Sequence, residues 1–448
     1  MSSYRNDTIT ALATPPGEGA IAVIRLSGKS LKTLLSDLTN GKKLVPRYAT
    51  YTPVYSHSSG DILDNCLITY FMAPNSYTGE DVAEISCHGG DVVSKLILND
   101  LYSRGARQAT PGEFTFRAFM NGKMDLVQAE AVSALISSKT ELGVSANLTN
   151  LSGLLSDNIS SLKQQALDLL SLVEHEMDFS EEEITITSKG RILETLNIVS
   201  DNLKSSLKTA VLGKVISGGV RVVLFGLPNT GKSNLFNNIL GHERAIVSSV
   251  PGTTRDTIEA WFNLDGFPVC LIDTAGVWET EDYLESLGIK KTISEIDLAD
   301  IVLFVDDKDP VDVFDRLHIK INPEKVIFVK TKEDLHPTKL PSNKISYTSS
   351  KKDIGFNKLL TSISTALSDS FVNNSENNPI LTTSRQRISI EKADDLLSGV
   401  IDLVSNNFSI DIVASSLRSF VLILEEIIGE VSSKDIIENI FKSFCVGK

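Results

Sequence analysis

Lys232 and Ser233 close the string GLPNTGKS at 226–233, a GxxxxGKS pattern lying between an apolar run at 220–225 and an amphipathic continuation over 234–240. In a strand, loop and helix arrangement, Gly226 and Gly231 let backbone N–H groups turn inward around a triphosphate. Lys232 then neutralises β/γ oxygens and Ser233 is placed to hold Mg²⁺, with Asn229, Thr230 and Asn234 completing the cradle. Asp273, Thr274, Ala275 and Gly276 form a DTAG string directly after an apolar run at 269–272. There the carboxylate can reach Mg²⁺ through its water shell and the Gly276 N–H can sense a γ-phosphate. Between the two strings runs Ser248, Ser249, Val250, Pro251, Gly252, Thr253 and Thr254. Thr254 is the expected switch-loop hydroxyl that reaches Mg²⁺ when the γ-phosphate is present.

The base is read by a further string, Thr331, Lys332, Glu333 and Asp334, which follows the apolar run 326–329. Asp334 can accept both the ring N–H and the exocyclic amine of guanine, whereas adenine offers the opposite edge and would leave the carboxylate unpaired. The pattern therefore points to GTP and away from ATP. Thr331 stands where the guanine-specific NKxD string has Asn, and Ser349, Ser350 and Lys351 are a loose match to the SAK loop that backs the base. Ras-like enzymes follow DTAG with a Gln that orients the attacking water. Val277 occupies that place here, so the hydrolytic base must come from elsewhere.

These residues need a mainly parallel sheet to present them, and strand-like runs recur at 269–272, 301–305, 326–329 and 344–347 with helical stretches between. Asp265 and Gly266 form a hairpin signal that joins 260–264 to 267–272 and gives the sheet the antiparallel edge of a Ras-type GTPase. On either side the pattern is helical. Leu148, Leu151, Leu155, Ile159, Leu162, Ala166, Leu169 and Val173 predict one long helix with a packing stripe, and Val413, Leu417, Phe420, Leu424 and Ile427 repeat that spacing near the C-terminus. Neither block can cover its own stripe, so the two are expected to form one discontinuous bundle with the nucleotide domain inserted between them. Ser217, Gly218 and Gly219 read as a flexible joint into the insertion, and 373–379 as the return linker. The acidic patch of Asp178 and 181–183 reads as a solvated helix end.

The first 118 residues alternate short β-type runs with Pro and Gly turns around a helical interlude at 92–101, the pattern of a small α/β unit. The expected domains are 1–118, then 119–214 and 371–448 as the two parts of the helical domain, with 215–370 as the inserted domain. A chain of 448 residues, 42% hydrophobic and 22% charged, is ordinary for a soluble multidomain protein. Its net charge of −14 argues against a large unassisted nucleic-acid surface, so a nucleic-acid substrate would lean on a partner's charge. The cysteines Cys66, Cys87, Cys270 and Cys445 lack metal or disulfide spacing, and the N-terminus lacks an apolar signal core. A cytoplasmic setting is expected, with no membrane contact.

Taken end to end, the chain resembles the MnmE (TrmE) family of tRNA modification GTPases. The resemblance rests on DTI at 7–9 with ATPPG at 13–17, PNSYTGED at 74–81, HGG at 88–90, PGEF at 111–114 and DLVQAE at 125–130. It is completed by the GTPase strings and a terminal FCVGK at 444–448. It implies an N-terminal folate-binding and dimerisation domain, a helical domain and an inserted Ras-like GTPase. The implied activity is wobble-uridine modification at C5, adding a carboxymethylaminomethyl- or aminomethyl-type group. The implied assembly is a homodimer joined to the flavoprotein MnmG (GidA) in a heterotetramer, with FAD on the partner only and tRNA held mostly through it. The carbon would come from a 5,10-methylene- or 5-formyl-tetrahydrofolate. By position, Arg25, Glu84, Lys123 and Lys448 match folate contacts and Cys445 matches a cysteine needed for modification. In relatives K⁺ assists hydrolysis as two G domains meet; Asn229, Ser248, Val250 and Thr253 match its ligands and Glu285 the residue that positions water. Trp278 stands where some relatives carry Arg. A competing reading keeps the GTPase but makes it a gate for an assembly factor of the ribosome-biogenesis type. Such a protein would be expected to carry a basic RNA-binding appendage.

Overall fold

The computed structural model describes residues 7–179, 186–242, 245–246, 258–273, 294–318, 321–338, 341–342, 344–371, 379–406, 409–431 and 433–448. The chain divides into two compact units. One comprises Met1–Ser133, Asn150–Val199 and Asp395–Lys448, the other Ala134–Thr149 and Ser200–Asp394. No helix among the described residues is long and apolar enough to cross a membrane.

In the first unit, β1 (Ile9–Leu12), β2 (Ile21–Ser27), α1 (Leu31–Leu38), β3 (Thr50–Tyr55), β4 (Ile62–Phe71), β5 (Val82–His88), α2 (Asp91–Ser103), β6 (Arg107–Gln108) and α3 (Glu113–Met120) follow in order. The described strands form a six-stranded sheet, β3-β4-β5-β2-β1-β6, antiparallel except for the β1/β6 edge. Period-two alternation sends Ala22, Ile24 and Leu26 of β2 and Ala83, Ile85 and Cys87 of β5 into one core under α1 and α2. The alternate residues Arg25 and Glu84, opposite one another in the register, fall on the other face.

Helices α4 (Leu126–Ser137), α5 (Glu141–Leu151), α6 (Leu154–Phe179) and α7 (Ile186–Gly218) come next. The single long helix expected over 148–173 is broken. Gly153 takes φ +99 between α5 and α6, and only the α6 part of the stripe, Leu155, Ile159, Leu162, Ala166, Leu169 and Val173, is buried. Leu148 is exposed. The flexible joint at 217–219 is likewise absent: α7 runs to Gly218 and the next strand starts at Val220. Ser217 Oγ is tied to Gly213 O and to Thr382 O at 2.8 Å, and a Cβ on Gly219 would lie 2.3 Å from the Trp261 ring. Gly219 serves close approach, not freedom.

The second unit is built on β7 (Val220–Phe225), α8 (Lys232–His242), β8 (Ala245–Ile246), β9 (Ile258–Leu264), β10 (Phe267–Asp273), β11 (Ile301–Asp306), α9 (Pro310–Arg316), β12 (Val326–Lys330), β13 (Ile345–Tyr347) and α10 (Phe356–Phe371). The described strands order as β13-β12-β11-β7-β10-β9-β8. They are parallel from β13 to β10 and antiparallel at β10/β9 and β9/β8. Asp265 and Gly266 close the β9/β10 hairpin at φ +50 and +91, as the Asp-Gly signal requires. Both faces are covered, one by Leu235, Phe236, Ile239, Leu359 and Ile363, the other by Ile296, Ala299 and flanking aromatic residues. Then α11 (Ser384–Ser405), α12 (Ile410–Ile428) and α13 (Lys434–Lys442) complete the chain. In the first unit α6 packs on α12, whose Val413, Leu417, Phe420, Leu424 and Ile427 are buried, so the two distant stripes do cover one another. The expected linker segment 373–378 and the acidic residues 181–183 lie outside the described residues.

Candidate functional site

The GxxxxGKS string occupies the turn from β7 into α8, which aims the first N–H groups of an 11-residue helix at whatever the loop encloses. Gly226 is fixed by crowding: a Cβ there would lie 2.1 Å from Val305 O. Asn229 and Gly231 take φ +62 and +94, so the loop is wound in the left-handed region at two of its positions. Lys232 is buried and its Nζ donates to Gly226 O at 2.9 Å and Leu227 O at 2.8 Å. Burial lowers its pKa, with nearby Asp273 opposing the shift. Ser233 Oγ donates to Asp273 Oδ2 at 3.0 Å, which brings the hydroxyl of one string and the carboxylate of the next to a single point. Two hard oxygen donors so placed suit Mg²⁺.

The base-reading string folds against this loop. Thr331 Oγ1 donates to Thr230 O, and Lys332 Nζ donates to Asn229 O at 2.7 Å and to Asp307 Oδ2 at 2.8 Å. Asp334 Oδ1 accepts from Ser349 Oγ at 2.7 Å, and that bond holds the Asp334 carboxyl below its usual range. Position 349 is set in turn by a β-bridge to Ile354. The structure thus brings together Asn229, Thr230, Gly231, Lys232, Ser233, Asp273, Thr331, Lys332, Asp334 and Ser349. Asn234 sits in the first turn of α8, and Ser350 and Lys351 continue the 349 loop. Ser248, Ser249, Val250, Pro251, Gly252, Thr253, Thr254, Thr274, Ala275, Gly276 and Glu285 lie outside the described residues, as do Val277 and Trp278.

A second cluster forms in the first unit, where the C-terminal residues dock on the N-terminal sheet. Gly112 N donates to Cys445 O at 3.4 Å and Phe114 N to Lys448 O at 3.2 Å. Gly447, at φ +95, passes so close that a Cβ would lie 2.5 Å from Leu12 O. Phe441 and Phe444 anchor the tail among Leu126, Ala129, Phe116 and Phe119. Arg25 Nη2 donates to Glu84 Oε1 at 2.8 Å and its Nη1 to Gly447 O at 3.3 Å, beneath the rings of Tyr77 and Phe114. Burial and the charge of Arg25 lower the Lys448 pKa, with Glu84 opposing. Arg25, Glu84 and Lys448 therefore share one place, with Cys445 exposed beside them. Two cations, a carboxylate and aromatic walls suit a ligand with an acidic tail and a donor-bearing ring. Lys123 makes a separate contact, donating to Pro74 O at 3.2 Å.

Sequence reading missed Arg117. It is 2% exposed and joins Asp7 at 2.7 Å, Glu80 at 3.0 Å and Glu113 at 3.1 Å; Arg107 also grips Asp7 at 2.8 Å and Glu113 at 2.6 Å. The signal lay in the carboxylates of the strings at 7–9, 74–81 and 111–114, which converge on this guanidinium and so hold the floor on which the C-terminus docks.

The profile of the GTP-binding protein TrmE N-terminus matches residues 8–123 and that of the MnmE helical domain matches 126–445. The chain is 38% identical over 455 residues to "tRNA modification GTPase MnmE" of Thermotoga maritima, covering 99% of this chain and 100% of that one. It is 39% identical over 450 residues to the protein so named in Aquifex aeolicus, with the same coverage. Among solved structures, the G domain of the T. maritima FeoB iron transporter aligns with 33% of this chain and 98% of its own at 25% identity and a TM-score of 0.26. With matches running through both terminal regions and a Ras-like nucleotide unit between them, the chain belongs to the MnmE (TrmE) family of tRNA modification GTPases.

Proposed function

We propose that this protein hydrolyses GTP to GDP and phosphate and works in the modification of tRNA wobble uridine in the cytoplasm. The observation that carries the nucleotide reading is the convergence of Asp334, held by Ser349, with a loop whose Thr331 and Lys332 grip consecutive carbonyls of the GxxxxGKS turn. That arrangement presents a fixed carboxylate to a base whose phosphates lie at Lys232 and the α8 N-terminus. Ser233 would hold Mg²⁺ together with Thr254, and Asp273 would act through the metal's water shell. Asn229, Ser248, Val250 and Thr253 would supply oxygens to K⁺, and Glu285 would position water.

The terminal cluster supports the modification half of the reading. Arg25, Glu84, Lys123 and Lys448 would hold a 5,10-methylene- or 5-formyl-tetrahydrofolate; bound there, the folate supplies one carbon. Cys445 stands exposed beside that place and would act in the step that uses the carbon. The group installed at uridine C5 is of the carboxymethylaminomethyl or aminomethyl type. The working assembly is a homodimer joined to the flavoprotein MnmG (GidA), which brings FAD and, given a charge of −14 on this chain, most of the tRNA contact.

The nucleotide reading is tested by Asp334→Asn. An amide presents a donor where the carboxylate accepted from guanine, so preference should move from guanosine to xanthosine triphosphate by at least about a hundredfold in kcat/KM. Steady-state hydrolysis of the two nucleotides measures it, and a variant that still prefers GTP would remove the guanine argument.

A further inference from the structure

Asn in the NKxD string carries both a donor and an acceptor group, whereas a threonine hydroxyl has one proton to give. Here that proton is spent on Thr230 O, with Asp306 O more distant at 3.5 Å. Position 331 therefore joins the base-reading loop to the phosphate loop by a single donated bond. The second joint is Lys332 Nζ to Asn229 O at 2.7 Å. Both of its ends are residues in the left-handed region outside helix and strand, Lys332 at φ +53 and Asn229 at φ +62. A lysine reaching this carbonyl on a flexible, part-exposed stem needs an anchor. Asp307 Oδ2, 2.8 Å from Nζ, is that anchor.

Asp307 is itself well placed to be rigid. It follows directly on β11, whose last residue, Asp306, accepts from Thr331 N at 2.9 Å and through its Oδ1 caps Lys308 N at 2.7 Å. The Lys332 bond holds the Asp307 carboxyl below its usual range, so it stays ionised throughout the neutral range.

We propose that Asp307 is a positioning residue for nucleotide binding: by fixing Lys332 on the Asn229 carbonyl it supplies the rigidity that threonine, in place of asparagine at position 331, does not. Asp307 does not touch the nucleotide; it acts through Lys332. The inference rests on the guanine-nucleotide reading above and adds to it a residue outside its motifs.

The test is stopped-flow release of mant-GDP from the full-length chain. Asp307→Asn should speed release about fivefold, the size expected when a charge-assisted, part-exposed hydrogen bond loses the charge of its acceptor. Adding Thr331→Asn to that variant should bring the rate back to within about twofold of the unaltered chain, a second-site recovery that a merely local packing defect would not show. Release from Asp307→Asn within twofold of the unaltered chain overturns the proposal, as does a double variant as fast as the single one. Failure of the unaltered chain to bind mant-GDP would instead overturn the nucleotide reading and this inference with it, so the two failures are distinct.

Discussion

Arg117 accounts for three carboxylates that the sequence scatters over more than a hundred positions, Asp7, Glu80 and Glu113. Replacing it with Met would take the Arg117 guanidinium from buried Glu80 and leave Glu113 with Arg107 alone, at a cost of about 3–5 kcal/mol. Thermal unfolding of Arg117→Met at pH 7 should therefore show an early transition that the unaltered chain lacks. The sign of its pH dependence follows from the carboxylates. Burial alone would raise Asp7 and Glu113, but the bonds to Arg107 and Arg117 outweigh it and hold both below their usual values of 3.8 and 4.5. Groups depressed in this way contribute stability that is complete above those values and is lost as pH falls through the lower, folded ones. The difference between variant and parent should shrink below about pH 4; a constant difference down to pH 3 would contradict the ion cluster. At this scale the gathering of Lys232, Ser233, Asp273, Thr331 and Asp334 around one loop was legible, because their strings have fixed residue types and spacing. Arg117 and Asp307 were not, because each acts through partners remote in sequence and neither has a spacing to betray it.

Among the elements, periodicity located the helices and strands but not their ends. The stripe from Leu148 to Val173 keeps its spacing in sequence across a break, so periodicity alone does not show the turn that Gly153 makes at φ +99. Gly219 was misread for the opposite reason: small residues serve close packing as well as mobility, and only the neighbouring Trp261 decides which. Gly219→Ala should lower stability more than Gly41→Ala. Both have positive φ, +74 and +78, but a Cβ at 219 meets the indole ring and Pro268 O while one at 41 meets nothing within 4 Å. Steric crowding adds about 1–3 kcal/mol to a left-handed penalty of about 1–2 kcal/mol that both share. Urea unfolding followed by tryptophan fluorescence measures the pair, and equal losses would show that the ring yields without cost.

At the scale of the molecule, the order of strings along the chain foretold a nucleotide unit inserted between two helical blocks, and the packing of α6 on α12 follows from two stripes that neither block can cover alone. The docking of the C-terminus on the N-terminal sheet could not be read from periodicity. It depends on single close approaches at Gly112 and Gly447. Val277, in the place of the Ras-type glutamine, leaves hydrolysis in need of outside help, which the proposed K⁺ ligands and G-domain pairing would supply. Turnover should accordingly be at least about tenfold faster in KCl than in NaCl of equal ionic strength, and equal rates would refute ion-assisted pairing. In this family a guanine-nucleotide unit is joined to chemistry on tRNA. Mass spectrometry of wobble-position nucleosides tests that joint directly in cells from which this chain has been removed. Modified wobble uridine should disappear and return with the unaltered chain but not with Lys232→Ala. An unchanged nucleoside spectrum in the deleted cells, or full recovery with Lys232→Ala, would contradict it.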